Sequence, residues 1–262
     1  MTVYLKELKQ DMKAWGIWTV AITFMLVLCV LIFPEMKNEM DDVSNLFSDM
    51  GGFSAAFGMD QVSFGEIMGF YGIECGNVLG IGGSFFAALL GISVLAKEEK
   101  ERTAEFLYTH PVSRSSILTQ KLFAVLTEIV AMNVVIAVAA VLSFLAVGEE
   151  VAVREFVLLH IAYLILQIEI SGICFGISAF IRRGSIGIGL GIALAFYFMN
   201  IVANISESAE FLRYITPFAY TEASDIISKS ELDMKLIGIG ALLFTVGVCV
   251  GFVHYTKKDI AA

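Results

Sequence analysis

A few acidic, amide or imidazole side chains stand inside long apolar runs of this chain, and these are the residues that could do chemistry. Glu74 and Asn77 share one run, Glu128 and Asn133 a second, and His160, Gln167 and Glu169 a third, while Asn200 lies near the end of a fourth. An ionisable group at bilayer depth costs about 2.5–3.5 kcal/mol on insertion scales, so each is a functional candidate. Glu128 is about two helical turns into its run and His160 about one turn, which puts both near an interface. Glu74 and Glu169 are therefore the carboxyls best placed to line a polar pathway, with Asn77 and Asn200 as further candidates. Hydrogen bonding between helices is the alternative role for Glu74 and Glu169.

Several chemistries can be set aside. There is no G-x-x-x-x-G-K-[ST] phosphate loop, and the glycine-rich stretch Gly72–Gly83 carries no lysine. Its glycines instead fall at Gly72, Gly76 and Gly80, a small-residue stripe on one helical face. The same spacing returns at Gly172/Gly176, Gly187/Gly191 and Gly247/Gly251, the pattern that lets helix backbones approach closely. The three histidines, His110, His160 and His254, are scattered, with no H-E-x-x-H, so no zinc site is expected. Cys29, Cys75, Cys174 and Cys249 each stand singly in apolar stretches, as reduced packing residues do.

A charged loop between apolar runs, Lys97 to Lys121, has its own local logic. Up to Tyr108 it is helix-prone and heavily charged. Pro111 then disfavours helical geometry at His110, and Ser113 is a good N-cap for a helix entering the next run. Phe106, Leu107 and Tyr108 make three adjacent apolar or aromatic groups on a short charged segment, which suggests a docking knob for another protein. Glu98-Glu99 followed by Arg102 is similar to the E-E-x-x-x-R acid pair of membrane-embedded prenyl-protease-like enzymes. Here the arginine comes one residue early and the acids stand at the edge of the apolar run.

The elements that must position these groups follow from composition. With 58% hydrophobic and 16% charged residues and a mean hydropathy of +0.81, the chain lies well outside the range of soluble domains. A bilayer core needs about 20 apolar residues per helix, and six runs qualify: 15–33, 67–96, 122–147, 156–181, 185–203 and 234–255. Within hydrocarbon these must be helices, since backbone amides find partners only in each other. An all-α integral membrane fold in one domain, residues 1–262, is expected, with no signal peptide: the first run is too long and has no small-residue cleavage site.

Twelve Lys and Arg fall on one side of these spans and five on the other, accounting for all 17. By the positive-inside rule the richer side, with both termini and the 97–121 loop, faces the cytoplasm of the plasma (inner) membrane. Most acids lie outside, so the net charge of -9 is mostly extracytoplasmic. Residues 1–14 place Tyr4, Leu5, Leu8 and Met12 on one face, the pattern of an interfacial helix. In the outer segment 34–66, Met36, Met40, Val43, Phe47 and Met50 repeat at helical spacing. The outer segment 204–233 gathers Phe211, Tyr214, Phe218 and Tyr220 around Pro217, too apolar to be merely solvated, and is expected to cap the bundle or dip into the outer leaflet.

At the loop the chain resembles the ABC-2 type permeases, membrane subunits of ATP-binding-cassette exporters. The family form, approximately E-x-x-x-[GR]-T-x-E-x-L-x-x-x-P-[VI]-S-R-x-x-[IL]-x-x-x-K, is matched at Glu99 or Glu98, Thr103, Glu105, Leu107, Pro111, Ser113, Arg114, Ile117 and Lys121. Arg102 stands where many members have glycine. The segment Phe211 to Tyr220 is similar to the helix-Pro segment before the last span in these permeases.

The resemblance implies a type V exporter-like half-transporter with six spans that pairs with a second permease, identical or homologous. Each would dock a separate cytosolic ATPase, two copies per complex, through a coupling helix centred on Thr103, Glu105 and Leu107. The site would then comprise Glu98, Glu99, Arg102, Thr103, Glu105, Phe106, Leu107, Tyr108, Pro111, Ser113 and Arg114, with Phe211, Tyr214, Pro217, Phe218 and Tyr220 as an extracytoplasmic gate. No catalytic residue and no cofactor are expected in this chain; ATP and Mg would sit on the partner, and lipid but no nucleic acid would touch it. Two other readings compete: a secondary transporter or channel using Glu74 and Glu169 as a relay, and an intramembrane hydrolase.

Overall fold

The computed structural model describes residues 2–37, 50–56, 59, 63, 65–97, 112–181 and 186–258, and every regular element among them is helical. Helix α1 spans Thr2–Met36, and a short α2 covers Gly52–Ala56. Span two is built from α3 (Ile67–Cys75), a π-helical turn (Gly76–Gly82) and α4 (Gly83–Ser93). Helices α5 (Arg114–Val147), α6 (Val153–Ser178) and α7 (Ile186–Ile205) follow. Two 3-10 helices, Glu207–Tyr214 and Pro217–Thr221, lead into α8 (Ala223–Lys229) and the last span, α9 (Met234–Lys257). Among the described residues six helical segments are long and apolar enough to cross a membrane, as hydropathy predicts. The amphipathic pattern from Met40 to Phe47 lies outside the described residues.

From Thr2 onward, the N-terminal segment expected as an interfacial helix over 1–14 is not separate from the first span. No glycine or proline interrupts the chain between Lys13 and Trp15, so the N-terminal segment and first span run as one. Leu5 and Met12 stay exposed on its apolar face while Val3 and Glu7 turn inward and are buried. Helix α1 lies parallel to α5: Tyr4 Oη bonds Thr127 Oγ1 at 3.1 Å, Trp15 Nε1 donates to the Glu128 carbonyl at 3.0 Å, and Lys37 pairs with Glu149 at 2.7 Å.

Spans two and four form the centre. Each has 61% of its most apolar stretch buried, against 22% for span five and 17% for span six. Small residues permit the close approach. A Cβ on Gly83 would stand 2.2 Å from Gln167 Nε2, and one on Gly91 would stand 2.4 Å from the Ser171 carbonyl oxygen. Spans four and six cross backbone to backbone, since a Cβ on Gly176 would stand 2.4 Å from the Gly247 carbonyl oxygen and one on Gly247 would stand 2.6 Å from that of Gly172. The stripe in span two packs Gly72 against α8, Gly76 against the Tyr163 hydroxyl and Gly80 against the Tyr163 ring. In span five Gly189 packs against Ile92, whereas Gly191 faces open space. Gly191 of the expected Gly187/Gly191 stripe is thus not a contact residue, because the helix turns Gly189 toward span two.

Candidate functional site

Among the described residues, three groups of polar contacts bear on the candidate site. The first is at the basic end, where α4 finishes and α5 begins. Lys97 Nζ reaches Asp11 Oδ1 at 2.9 Å and Glu7 Oε2 at 3.3 Å, while Lys121 Nζ reaches Glu7 Oε1 at 2.8 Å and the Val94 carbonyl at 3.0 Å. The Glu7 and Lys121 side chains are each only 1% exposed. One carboxylate thus holds both ends of the 97–121 loop. Burial works against the charge on Lys97, but Glu7 and Asp11 outweigh it and hold its ammonium above the ordinary lysine range.

The last span joins the same base. Arg114 Nη1 donates to the carbonyls of Thr256 and Lys258 at 3.2 and 2.8 Å, and Tyr255 Oη donates to the Leu95 carbonyl at 3.2 Å. The two Arg114 bonds satisfy carbonyls at the C-terminus of α9 that a helix end leaves open, and the Tyr255 bond satisfies one just past the end of α4. Ser113 caps α5 as its sequence predicts, accepting from the Ser116 amide at 3.2 Å. The other loop residues read as docking elements, Glu98, Glu99, Arg102, Thr103, Glu105, Phe106, Leu107, Tyr108 and Pro111, lie outside the described residues.

The second group is central. Gln167 on α6 accepts from Asn133 Nδ2 at 2.7 Å and donates to the Leu79 carbonyl at 3.4 Å, inside the π-helical turn of span two. Two residues on, Glu169 accepts a bond of 2.7 Å from Tyr220 Oη. Gly240 on α9 makes room for it, since a Cβ there would stand 2.0 Å from Glu169 Oε2. Glu169 Oε1 has no hydrogen-bond partner among the described residues, nor has either carboxylate oxygen of Glu128. Glu74 points instead toward span one, accepting a weak bond from Cys29 Sγ at 3.8 Å. The two carboxyls expected to form a relay therefore bond to different elements, Glu74 to α1 and Glu169 to the Pro217–Thr221 segment.

The third group is at the acidic end. Glu222 Oε1 accepts from Asn200 Nδ2 and, at 2.6 Å, from Asn204 Nδ2. Burial pushes the Glu222 carboxyl above the ordinary carboxylate range, an effect the two amides oppose. Asn77, Asn200 and Phe218 line one cavity of about 50 Å³ here together with Glu222. The gate residues divide: Pro217, Phe218 and Tyr220 are buried, while Phe211 and Tyr214 are exposed. Tyr214 and Tyr220 border a broader outer basin of about 490 Å³ with Arg213, Asp225 and Lys229.

Against this geometry, a family model described as ABC-2 family transporter protein matches residues 1–260. The chain belongs to the ABC-2 transporter family. A search of curated proteins found no matching relative. As an ABC-2 permease it is a multi-pass membrane component of a transporter and is not itself catalytic.

Sequence reasoning missed two groups that organise this ABC-2 permease. Glu7 reads as one charge of a solvated helix face, and its partners lie 90 and 114 residues away. Glu222 is one of many acids in an outer segment, and no local spacing marks it. The signal that could have found Glu7 is Lys121, a family-pattern lysine whose ammonium, once buried, requires an acid.

Proposed function

We propose that this chain is the permease subunit of an ATP-driven exporter, docked through the loop between spans two and three onto a separate cytosolic ATPase. Its basic end faces the cytoplasm of the plasma membrane. A second permease and two ATPase copies complete the assembly, and ATP and Mg bind on the ATPases.

The observation that carries this reading is the hold of Glu7 on Lys97 and Lys121. A push on the loop between those lysines acts on span two at Lys97 and span three at Lys121, and Glu7 delivers it to span one. Arg114 and Tyr255 bring in the last span. Such a base moves as a unit, the arrangement needed to turn closure of an ATPase pair into rotation of helices. Span two is in backbone contact with span four at Gly91 and Ser171, and span four reaches the outer segment through Glu169 and Tyr220. This is a continuous route from loop to outer cap.

The test is copurification from native membranes followed by nucleotide hydrolysis in nanodiscs. An ATPase subunit is expected to copurify with the wild-type chain, and Leu107→Asp is expected to lose it while inserting normally. Retention of a fully stimulated ATPase by Leu107→Asp overturns the assignment of the loop as the docking element.

A further inference from the structure

The cavity at Glu222 has a composition that packing does not require. Asn77 on span two, Asn200 on α7 and Glu222 converge on it, with the Tyr163 and Tyr197 rings beside them. Among the described residues no Lys, Arg or His lines it. Asn200 is only 5% exposed, and its Oδ1 has no hydrogen-bond partner among the described residues. Its amide nitrogen is spent on Glu222. An unpartnered amide oxygen beside a buried carboxylate is an acceptor set that lacks a positive centre.

Volume and ligand chemistry narrow the occupant. A cavity needs about 10–15 Å³ to hold one water, so about 50 Å³ has room for an ion with a water or two. Drug-sized ligands need about 300–1,000 Å³. All available donors are hard oxygens, which excludes the soft metals. A single carboxylate balances one positive charge, whereas divalent calcium sites recruit several carboxylates. The cavity wall at Gly76 and Asn77 is where span two passes from α to π winding. Irregular helix backbone at a cavity is where membrane proteins place ion sites.

We propose that this cavity binds one alkali-metal cation, held by the Glu222 carboxylate and the side-chain oxygens of Asn200 and Asn77. The ion joins span two, span five and the segment leading into α8, and so fastens the outer cap to the bundle. Protons compete for the same carboxylate. Arg213 and Asp225 act on Glu222 from the solvent side with opposite signs, and Tyr163 and Tyr197 face it from within.

The experiment uses the full chain in nanodiscs, with sodium, potassium or choline chloride at constant ionic strength. Thermal unfolding and retention of radioactive sodium are read together. The wild type is expected to show a saturable rise in melting temperature with sodium or potassium and none with choline, and to lose sodium retention as pH is lowered. Glu222→Gln is expected to abolish both responses, and Asn77→Ala, placed on a different helix, to weaken them. Equal melting curves in choline and alkali salts overturn the proposal, as does wild-type sodium retention by Glu222→Gln. Should Glu222→Gln fail to fold, an unchanged sodium response in Asn77→Ala overturns it. None of these readouts involves an ATPase, so the outcome is independent of the coupling role.

Discussion

Tyr220 donates a 2.7 Å hydrogen bond to Glu169 across 51 residues of sequence, tying the outer segment to the middle of span four. The bond is buried and meets the Gly240 notch of the last span, so three parts of the bundle depend on one tyrosine hydroxyl.

Tyr220→Phe keeps the ring and deletes that hydroxyl. Glu169 Oε1 already lacks a partner among the described residues, so the substitution leaves the side chain without a hydrogen bond to any of them. A buried acceptor stripped of its donor costs about 1–3 kcal/mol. The expected result is a lower melting temperature in detergent, largely restored when Glu169→Leu is added, because removing both partners leaves no orphaned acceptor. Equal melting temperatures for wild type and Tyr220→Phe would show the bond to be dispensable.

The ion pairs of Glu7 lead to a larger effect. Glu7→Ala withdraws the carboxylate that faces the buried Lys121 ammonium. Breaking a buried pair from one side costs about 3–5 kcal/mol, whereas replacing both partners by apolar groups is far milder. Glu7→Leu combined with Lys121→Met is therefore expected to recover most of the stability lost by Glu7→Ala. Only the paired variant then reports on coupling, since its fold survives while the link between the loop ends is gone. A thermal-shift series over the wild type, Glu7→Leu, Lys121→Met and the double variant measures this directly; simple additivity would show that the two side chains do not interact.

The spans were legible because a bilayer imposes a length that appears directly as apolar runs. Their polar residues were legible for a related reason, since Glu169 or Asn200 stands out where its neighbours are Leu and Ile. Partnerships were not. Glu7 finds Lys97 and Lys121 only once α1 is laid along α5, and no periodicity within residues 1–14 predicts that. The hydropathy of residues 1–14 pointed to the Leu5/Met12 face, which proves to be the exposed one. The π turn at Gly76–Gly82 was equally hidden. Glycine tolerates such winding, but the same glycines also fit a regular helix with a packing stripe. Tyr220 was found among outer aromatics, and its partner was found as a buried acid; joining them required the fold.

Glycine contacts give a prediction with an internal control. A Cβ on Gly176 meets backbone of span six, which cannot move aside as a flexible side-chain tip can. Gly176→Val is expected to force the two helices apart and to abolish monodisperse protein on size-exclusion chromatography in detergent. Gly191 has nothing within 4 Å of the same position, so Gly191→Ala should be neutral or slightly stabilising, by up to about 1 kcal/mol from helix propensity. Equal behaviour of the two variants would contradict the helix crossing described above.

A final prediction concerns pH, and its sign follows from Glu222. Burial raises this carboxyl above its ordinary value in the folded chain, whereas the unfolded chain exposes it to water. Between those two values the folded state keeps a proton that the unfolded state has released. Stability must then fall as pH rises. Below the ordinary carboxylate range both states are protonated and there is no penalty; above the raised folded value the penalty is complete. In choline buffer, without alkali cations, the stability of the wild type should therefore decline with a limiting slope of about 1.4 kcal/mol per pH unit from this one group. Glu222→Gln removes the titration and should flatten that part of the curve, leaving the variant the more stable chain at neutral pH. Denaturation midpoints at closely spaced pH values for both chains, taken in choline, check the sign; a wild-type stability that rises across this window would mean that Glu222 is held as an anion by the amides of Asn200 and Asn204.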